Sequence, residues 1–329
     1  MNKKKALTLC ILEILKEYTD ENHFLTQREI AQFLEDKYQL TVERKAIGDS
    51  LELLNSLGYD VNKKEGGFGF ALYSRLIDPS EMTFLADSIL SAKTLTSNMA
   101  KSLIQRLQTL LSVNNRKNHD YIDKSVDSTR SNNADIFLNI EILSEAIKEK
   151  KKITFKYLQY DINGLLKERE GKYYKVNPYF LVNNYGKYYL LANYEKYDNV
   201  SNFRIEYMKD IKIVNDSSVK PLNKIIGFGD NFNIGKYLSE HIYIFGGDVV
   251  EAKIRFESRN CFTYIFEWFG KNARIEKVSD DCYIATVKCD EKAIIYWALQ
   301  YGSLFEVISP DSTRNNIRHV IQNLWLKYR

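Results

Sequence analysis

The chain has 329 residues and a mass of 38.5 kDa, about two domains on a prior of roughly 150 residues each. Hydrophobic residues make up 44% and charged residues 27%, so the chain can bury real cores and is not disordered overall. A formal net charge of +4 excludes a blanket polycation but leaves room for one local basic surface. With 15 glycines and 4 prolines, collagen-like and Pro-rich classes are excluded. Tyr (23) outnumbers Phe (17), which fits either a compositional bias or a surface of rings with polar tips. Cys10, Cys261, Cys282 and Cys289 form no CxxC pair, which reads as reduced thiols in a cytoplasmic protein. No apolar run approaches the ~18 residues of a membrane span. Lys3–Lys5 ahead of Ala6–Leu12 mimics a signal peptide, but Glu13 interrupts it and no small-residue cleavage site follows.

Residues 1–75 read as three helices and a hairpin. Leu7, Ile11, Leu15 and Tyr18 recur at helical spacing. Thr26-Gln27-Arg28-Glu29 is a capping box opening a second helix, with Ile30, Phe33 and Leu34 as its buried stripe. A turn at Tyr38–Thr41 leads to a third helix marked by Ile47, Leu51 and Leu54 and stopped by Gly58. Strands over Tyr59–Asn62 and Phe68–Leu72 flank the turn Lys63-Lys64-Glu65-Gly66-Gly67.

Residues 76–150 form a helical connector and linker. Asp78-Pro79-Ser80-Glu81 starts a helix carrying Met82, Leu85 and Ile89, and Leu103, Leu107, Leu110 and Leu111 mark another. The polar stretch 112–134 is read as linker. A helix from about Asp135 to Lys150 should turn Phe137, Ile140 and Ile147 inward. Over 151–215 the period becomes two: Ile153, Phe155 and Tyr157, then strands at Tyr174–Val176, Tyr179–Val182, Tyr188–Ala192 and Phe203–Ile205, which predict a small barrel. Residues 246–329 read β-α-β-β-α-β and a final helix, a ferredoxin-like order. The fold class expected is therefore multidomain α+β.

Catalytic and metal chemistry has little support. His23, His119, His241 and His319 lack ligand spacing, and Cys282 and Cys289 read as buried thiols. Glu65-Gly66-Gly67-Phe68-Gly69 leads into a strand without Lys-Ser/Thr, so it is no P-loop, and no Gly-x-Ser-x-Gly elbow occurs. No enzyme activity, metal or cofactor is expected. The first 75 residues instead show the winged helix-turn-helix pattern, in which a helix fills the major groove and a hairpin reaches a flanking groove or backbone. Arg44 and Lys45 open the third helix, Lys63 and Lys64 sit on the wing turn, and Thr26 and Gln27 start the second helix, where a hydroxyl or amide can hold a phosphate. The segment carries about 11 Lys+Arg against 12 Asp+Glu, so affinity for double-stranded DNA would need dimerisation or a local field at the helix tip.

Leu40–Leu54 followed by Leu57-Gly58-Tyr59-Asp60-Val61 resembles the helix-turn-helix of bacterial WYL-domain transcription regulators. Tyr174–Val182 and Gly186-Lys187-Tyr188-Tyr189-Leu190 resemble the stretch that names the WYL domain, with Tyr188 in place of Trp. Asn202-Phe203-Arg204-Ile205 resembles that domain's end. Trp297–Gly302, Val307–Pro310 and the helix to Tyr328 resemble the family's C-terminal extension. The resemblance implies a DNA-binding domain, a small Sm/SH3-like barrel over 151–215 that senses a nucleotide or single-stranded nucleic acid, a ferredoxin-like extension, and a homodimer acting on a DNA operator. It places Tyr157, Tyr189 and Arg204 on the barrel's ligand-facing side, where an Arg fork and ring faces suit a phosphate joined to a stackable base. The other reading of these residues is barrel core, with Arg204 paired to an internal carboxylate. Two departures stand out: Asp49 and Ser50 occupy recognition-helix positions that usually carry other residues, and Glu206-Tyr207-Met208 replaces the usual Asp-Arg-Ile. A nucleic-acid-binding accessory protein for single-stranded RNA or DNA is the alternative function.

Overall fold

A computed structural model describes residues 6–116, 130–228 and 232–329. The chain divides into two compact units, 1–134 and 135–329. The Lys3–Lys5 run, His119 and the middle of the expected linker lie outside the described residues.

The first unit opens with α1 (Leu7–Tyr18), α2 (Gln27–Tyr38) and α3 (Arg44–Ser56), then a hairpin of β1 (Val61–Lys63) and β2 (Phe70–Leu72). Each helix buries one stripe: Leu7, Ile11 and Leu15 of α1, Ile30 and Leu34 of α2, and Ile47, Leu51 and Leu54 of α3 form one core with Val61 and Leu72. Phe33 of α2 lies at its edge, stacked on Tyr18 at 4.2 Å between centroids. The hairpin strands are shorter than their sequence signal, and Leu25 bridges Phe70 as a third extended segment. Two further helices, α4 (Pro79–Ser91) and α5 (Ser97–Gln108), bury Met82, Ala86 and Ile104, with Leu107 and Leu111 against them.

The expected linker is partly structured. Val113–Arg116 forms the short helix α6. Arg130 is buried and donates to the carbonyls of Ala92 at 3.2 Å and Leu95 at 3.4 Å and to that of Leu90. The polar character read as solvation here serves instead to satisfy carbonyls left over at the end of α4.

In the second unit, α7 (Ile136–Lys148) packs on a five-stranded antiparallel sheet of β3 (Ile153–Tyr160), β4 (Leu166–Asn184), β5 (Lys187–Tyr194), β6 (Val200–Arg204) and β7 (Met208–Ile213). Ile136, Asn139, Leu143 and Ala146 form the buried face of α7, while Phe137 is 43% exposed. The inward register of the helix is thus one residue off the expected one, because Asn139 takes an inward position and donates to the Met208 carbonyl at 2.9 Å. The two strands expected at Tyr174–Val176 and Tyr179–Val182 are one 19-residue strand, β4. Pro178, which reads as a break, sits where the register shifts between Pro178 and Phe180, a bulge that needs no donor there.

The sheet order is β6-β5-β4-β3-β7. The two edge strands lie four spacings apart, about 19 Å if flat. Yet they are joined by a single 3-10 turn, Ile205–Tyr207, whose reach is about 8 Å. The sheet must therefore curl, bringing Arg204 at the end of β6 beside Tyr157 on β3.

After α8 (Ile234–Glu240) come β8 (Val249–Phe256), α9 (Cys261–Phe269), β9 (Arg274–Ser279), β10 (Cys282–Asp290), α10 (Glu291–Gln300), β11 (Glu306–Ser309) and α11 (Asp311–Lys327). The strand order β11-β8-β10-β9, antiparallel throughout, is the split β-α-β arrangement expected from the element order. Trp297 is fully buried at its centre, against Phe269 and Phe305. On α11 only Thr313 is buried; Ile321, Leu324 and Trp325, with Tyr328 just past the helix end, form an exposed apolar stripe.

Candidate functional site

The two surfaces singled out from sequence lie in different units. In the first, the Thr26 hydroxyl accepts from the Glu29 amide at 3.3 Å, and the Glu29 carboxylate accepts from the Thr26 amide and hydroxyl, each at 2.7 Å. Those bonds hold the Glu29 carboxyl below its usual range. Thr26 is therefore engaged in starting α2. Gln27, one residue on, accepts from Arg44 Nε at 2.6 Å and lies over Gly48, where an added Cβ would meet its amide nitrogen at 3.3 Å. The structure thus brings Gln27 and Arg44 together and fixes the start of α2 against the first turn of α3. Arg44 and Lys45 are exposed there, and Lys45 has no ion-pair partner among the described residues.

Ser50 does not share that exposed face. It is buried, donating to the Ala46 carbonyl at 2.8 Å and accepting from Thr8 at 3.3 Å, so it locks α3 to α1. Asp49 and Glu52 are exposed further along α3, so its positive charge is concentrated at the N-terminal tip. On the wing, Lys63 Nζ lies 5.6 Å from the Phe70 ring centroid and Lys64 Nζ 5.7 Å from that of Phe24. These ring faces hold both cations along the base of the hairpin.

In the second unit, the curl of the sheet assembles a group of rings. Tyr157 meets Phe203, Tyr174 and Tyr207 edge-on at 5.7–5.9 Å. Its hydroxyl accepts from the Arg204 amide at 3.1 Å, and burial pushes its pKa up to about 12. Burial likewise raises Tyr189 and Tyr207, so at neutral pH the phenols are protonated donors. Tyr189 pairs with Arg204 across β5 and β6. The structure therefore brings Tyr157, Tyr189 and Arg204 together.

The Arg204 guanidinium is already engaged. Nε donates to Glu206 Oε1 at 2.7 Å, Nη2 donates to the same oxygen, and the cation lies over the Tyr207 ring at 4.6 Å. Glu206 is 2% exposed and the Arg204 side chain 28%. This internal carboxylate was the other sequence reading for Arg204. The carboxylate is Glu206, the first residue of the Glu206-Tyr207-Met208 departure, and no sequence pattern marks it as the partner of Arg204.

A cleft of about 500 Å³ lies apart from these residues, lined by Asn199, Ile226, Phe232, Lys236, Tyr237 and Gly247 among others. Its walls come from separated loops and α8, so no local pattern in the sequence marks it. Among the described residues no cluster of His, Cys, Asp or Glu could hold a metal ion, and no helix is long and apolar enough to cross a membrane.

Comparison with known proteins adds two matches and two distant likenesses. Residues 139–213, from α7 through β7, match the WYL domain, and residues 248–325 match the WCX domain. No curated protein matches. Among solved structures, proteasome accessory factor B/C (PafBC) of Arthrobacter aurescens is 16% identical with a TM-score of 0.30, over 98% of this chain and 49% of that one. This chain thus spans about half the length of that protein. A CRISPR Cas-related protein is 12% identical with a TM-score of 0.39, over 99% of this chain and 85% of that one. The curled sheet is thus matched by the WYL domain and the module after it by the WCX domain, in this order along one chain.

Proposed function

We propose that the protein is a DNA-binding transcription regulator rather than an enzyme. It acts in the cytoplasm as a homodimer, with a winged helix-turn-helix head over residues 1–75 and an effector-sensing barrel over 151–215. The observation that carries this reading is the Gln27–Arg44 bond, which fixes α2 against a third helix whose exposed first turn holds Arg44 and Lys45. A helix tip of that kind fits the major groove, with Arg44 reaching a base edge and Lys45, Thr26 and Gln27 near phosphates. Lys63 and Lys64 then meet the backbone beside it. The match of residues 139–213 to the WYL domain, whose carriers are typically DNA-binding regulators, supports the same reading.

The head has no general excess of positive charge, so two heads on a palindrome supply what one lacks. The exposed apolar stripe of α11 is the dimer surface we assign, since Leu107 and Leu111 of the connector pack inside their own unit. In the barrel, a nucleotide or single-stranded nucleic acid would stack on the tyrosines around Arg204 and place its phosphate at the Nη1 edge, the edge Glu206 leaves open. Footprinting on double-stranded DNA tests the reading. A protected palindrome of two half-sites about one helical turn apart is expected; protection of single strands alone would replace it with the accessory-protein reading.

A further inference from the structure

The tip of the hairpin carries a residue that neither the core nor the expected phosphate contacts use. Phe68 is 91% exposed and makes no ring contact among the described residues. A ring left in water on a surface loop is single and small as patches go, so position must give it meaning. Here the loop beneath it is held. The Lys64 amide donates to the Gly69 carbonyl at 3.1 Å, and the Gly67 amide to the Lys64 carbonyl at 3.2 Å. Leu25 and Phe70 exchange amide-to-carbonyl bonds at 3.0 and 2.8 Å, so the base of β2 is anchored to the segment ahead of α2. Gly69 has φ +123°, and a Cβ there would meet Phe24 Cβ at 2.9 Å. The backbone just after Phe68 is therefore seated against Phe24 at a place only glycine allows.

The charges around the ring are ordered as well. Lys63 and Lys64 are drawn back over Phe70 and Phe24, toward the hairpin base. Glu65 is exposed near the turn and would be repelled by phosphates. A duplex approaching this loop is thus met by an apolar ring at the tip, with two cations behind it and a carboxylate that disfavours approach from its own side.

We propose that the wing is a minor-groove wedge. Phe68 enters between two base pairs beside the segment read by α3 and unstacks them, while Lys63 and Lys64 hold the flanking phosphates. Apolar side chains inserted in this way kink a duplex toward its major groove, at a cost that is lowest at flexible pyrimidine–purine steps. Phe68 would then select a TA or CA/TG step under the wing without any hydrogen bond to a base. This inference rests on the DNA-binding reading above.

The test uses the full chain and double-stranded DNA. Wild-type protein selects duplexes from a random library of about 30 base pairs. A recovered duplex is end-labelled with a donor and an acceptor, so that energy transfer reports its bend. Phe68→Ala should keep the wild-type melting temperature, because the ring packs on nothing, yet lose the bend and bind about tenfold more weakly. Phe68→Leu should keep most of the bend. Lys63→Ala should weaken binding while the bend in the bound complex persists. Replacing the selected flexible step by a stiff A-tract should weaken wild type but not Phe68→Ala. Selected duplexes that Phe68→Ala binds and bends like wild type overturn the wedge alone. Weaker binding with an unchanged bend also overturns it, leaving Phe68 a backbone contact. Failure of the wild type to select any duplex removes the DNA-binding reading and the wedge together.

Discussion

Removing the Arg204 side chain should unsettle the second unit before it affects any ligand. Glu206 is 2% exposed, and its Oε1 accepts two guanidinium hydrogen bonds. Arg204→Ala leaves that carboxylate buried without its counter-ion, the case in which breaking an ion pair costs about 3–5 kcal/mol. Arg204 itself is 28% exposed, so solvent screens part of the pair and the expected cost is discounted below that range, to about 2–3 kcal/mol. In a unit of this size, about 2–4 °C of melting temperature accompanies each kcal/mol. The expected drop is therefore roughly 4–12 °C. Glu206→Gln keeps an acceptor for Arg204 and should cost less. The pair Arg204→Met with Glu206→Leu should recover much of the loss, since no unpaired charge then stays buried. Calorimetry on wild type and the three variants compares these costs. If Arg204→Ala melts within about 1 °C of wild type, or the double variant is no better than the single one, the buried-pair reasoning is wrong. In the same experiment, nucleotides or short single strands should shift the melting of wild type and of Glu206→Gln but not of Arg204→Met/Glu206→Leu.

The other expectations concern the head and the assembly. Thr26→Ala removes the capping box of α2 and should cost about 1 kcal/mol, read by denaturant unfolding. Because the folded state holds the Glu29 carboxyl below its ordinary range, that contribution is present above the ordinary glutamate value of about 4.3 and fades as pH falls through the lower folded value; the Thr26→Ala gap should close in acid. Arg44→Ala should cost about 1–3 kcal/mol of DNA affinity and relax preference at one base, with Gln27→Ala showing a smaller version of the same loss. Lys63→Ala should weaken all sequences alike and flatten the salt dependence by about one unit of slope. Trp325→Asp on the α11 stripe should convert a dimer to a monomer in light scattering while leaving the melting of the dilute protein near wild type.

The sequence was most legible where one local rule sufficed. Thr26 and Glu29 announce α2 by spacing alone, and Leu7, Ile11 and Leu15 define α1 by period. The β-α-β-β-α-β order could be read straight off the last 80 or so residues. Legibility failed where a residue's role depends on a distant partner. Pro178 looks like a strand break until β5 shows that it sits at a bulge. Asn139 looks like a surface residue until the Met208 carbonyl shows that it is buried. Strand β7 carries only Met208 and Ile211 as buried residues and pairs with β3 some fifty residues earlier, so its alternation is too brief to stand out. Arg204 shows both sides: its place beside Tyr157 and Tyr189 followed from the family resemblance, but the occupation of its fork by Glu206 requires the 3-10 turn that curls the chain back within two residues.

The central claim is that the tip of α3 reads double-stranded DNA. Its most direct test is equilibrium binding of the wild type, Arg44→Ala and Lys45→Ala to a duplex selected by the wild-type protein, followed against salt. Wild type should form a tight complex whose affinity falls steeply with salt. Arg44→Ala should lose about 1–3 kcal/mol at one base position, and Lys45→Ala should lose affinity evenly across sequences. A selected duplex bound equally well by all three proteins would contradict it, because the contact would then lie elsewhere than the tip that Gln27 and Arg44 build.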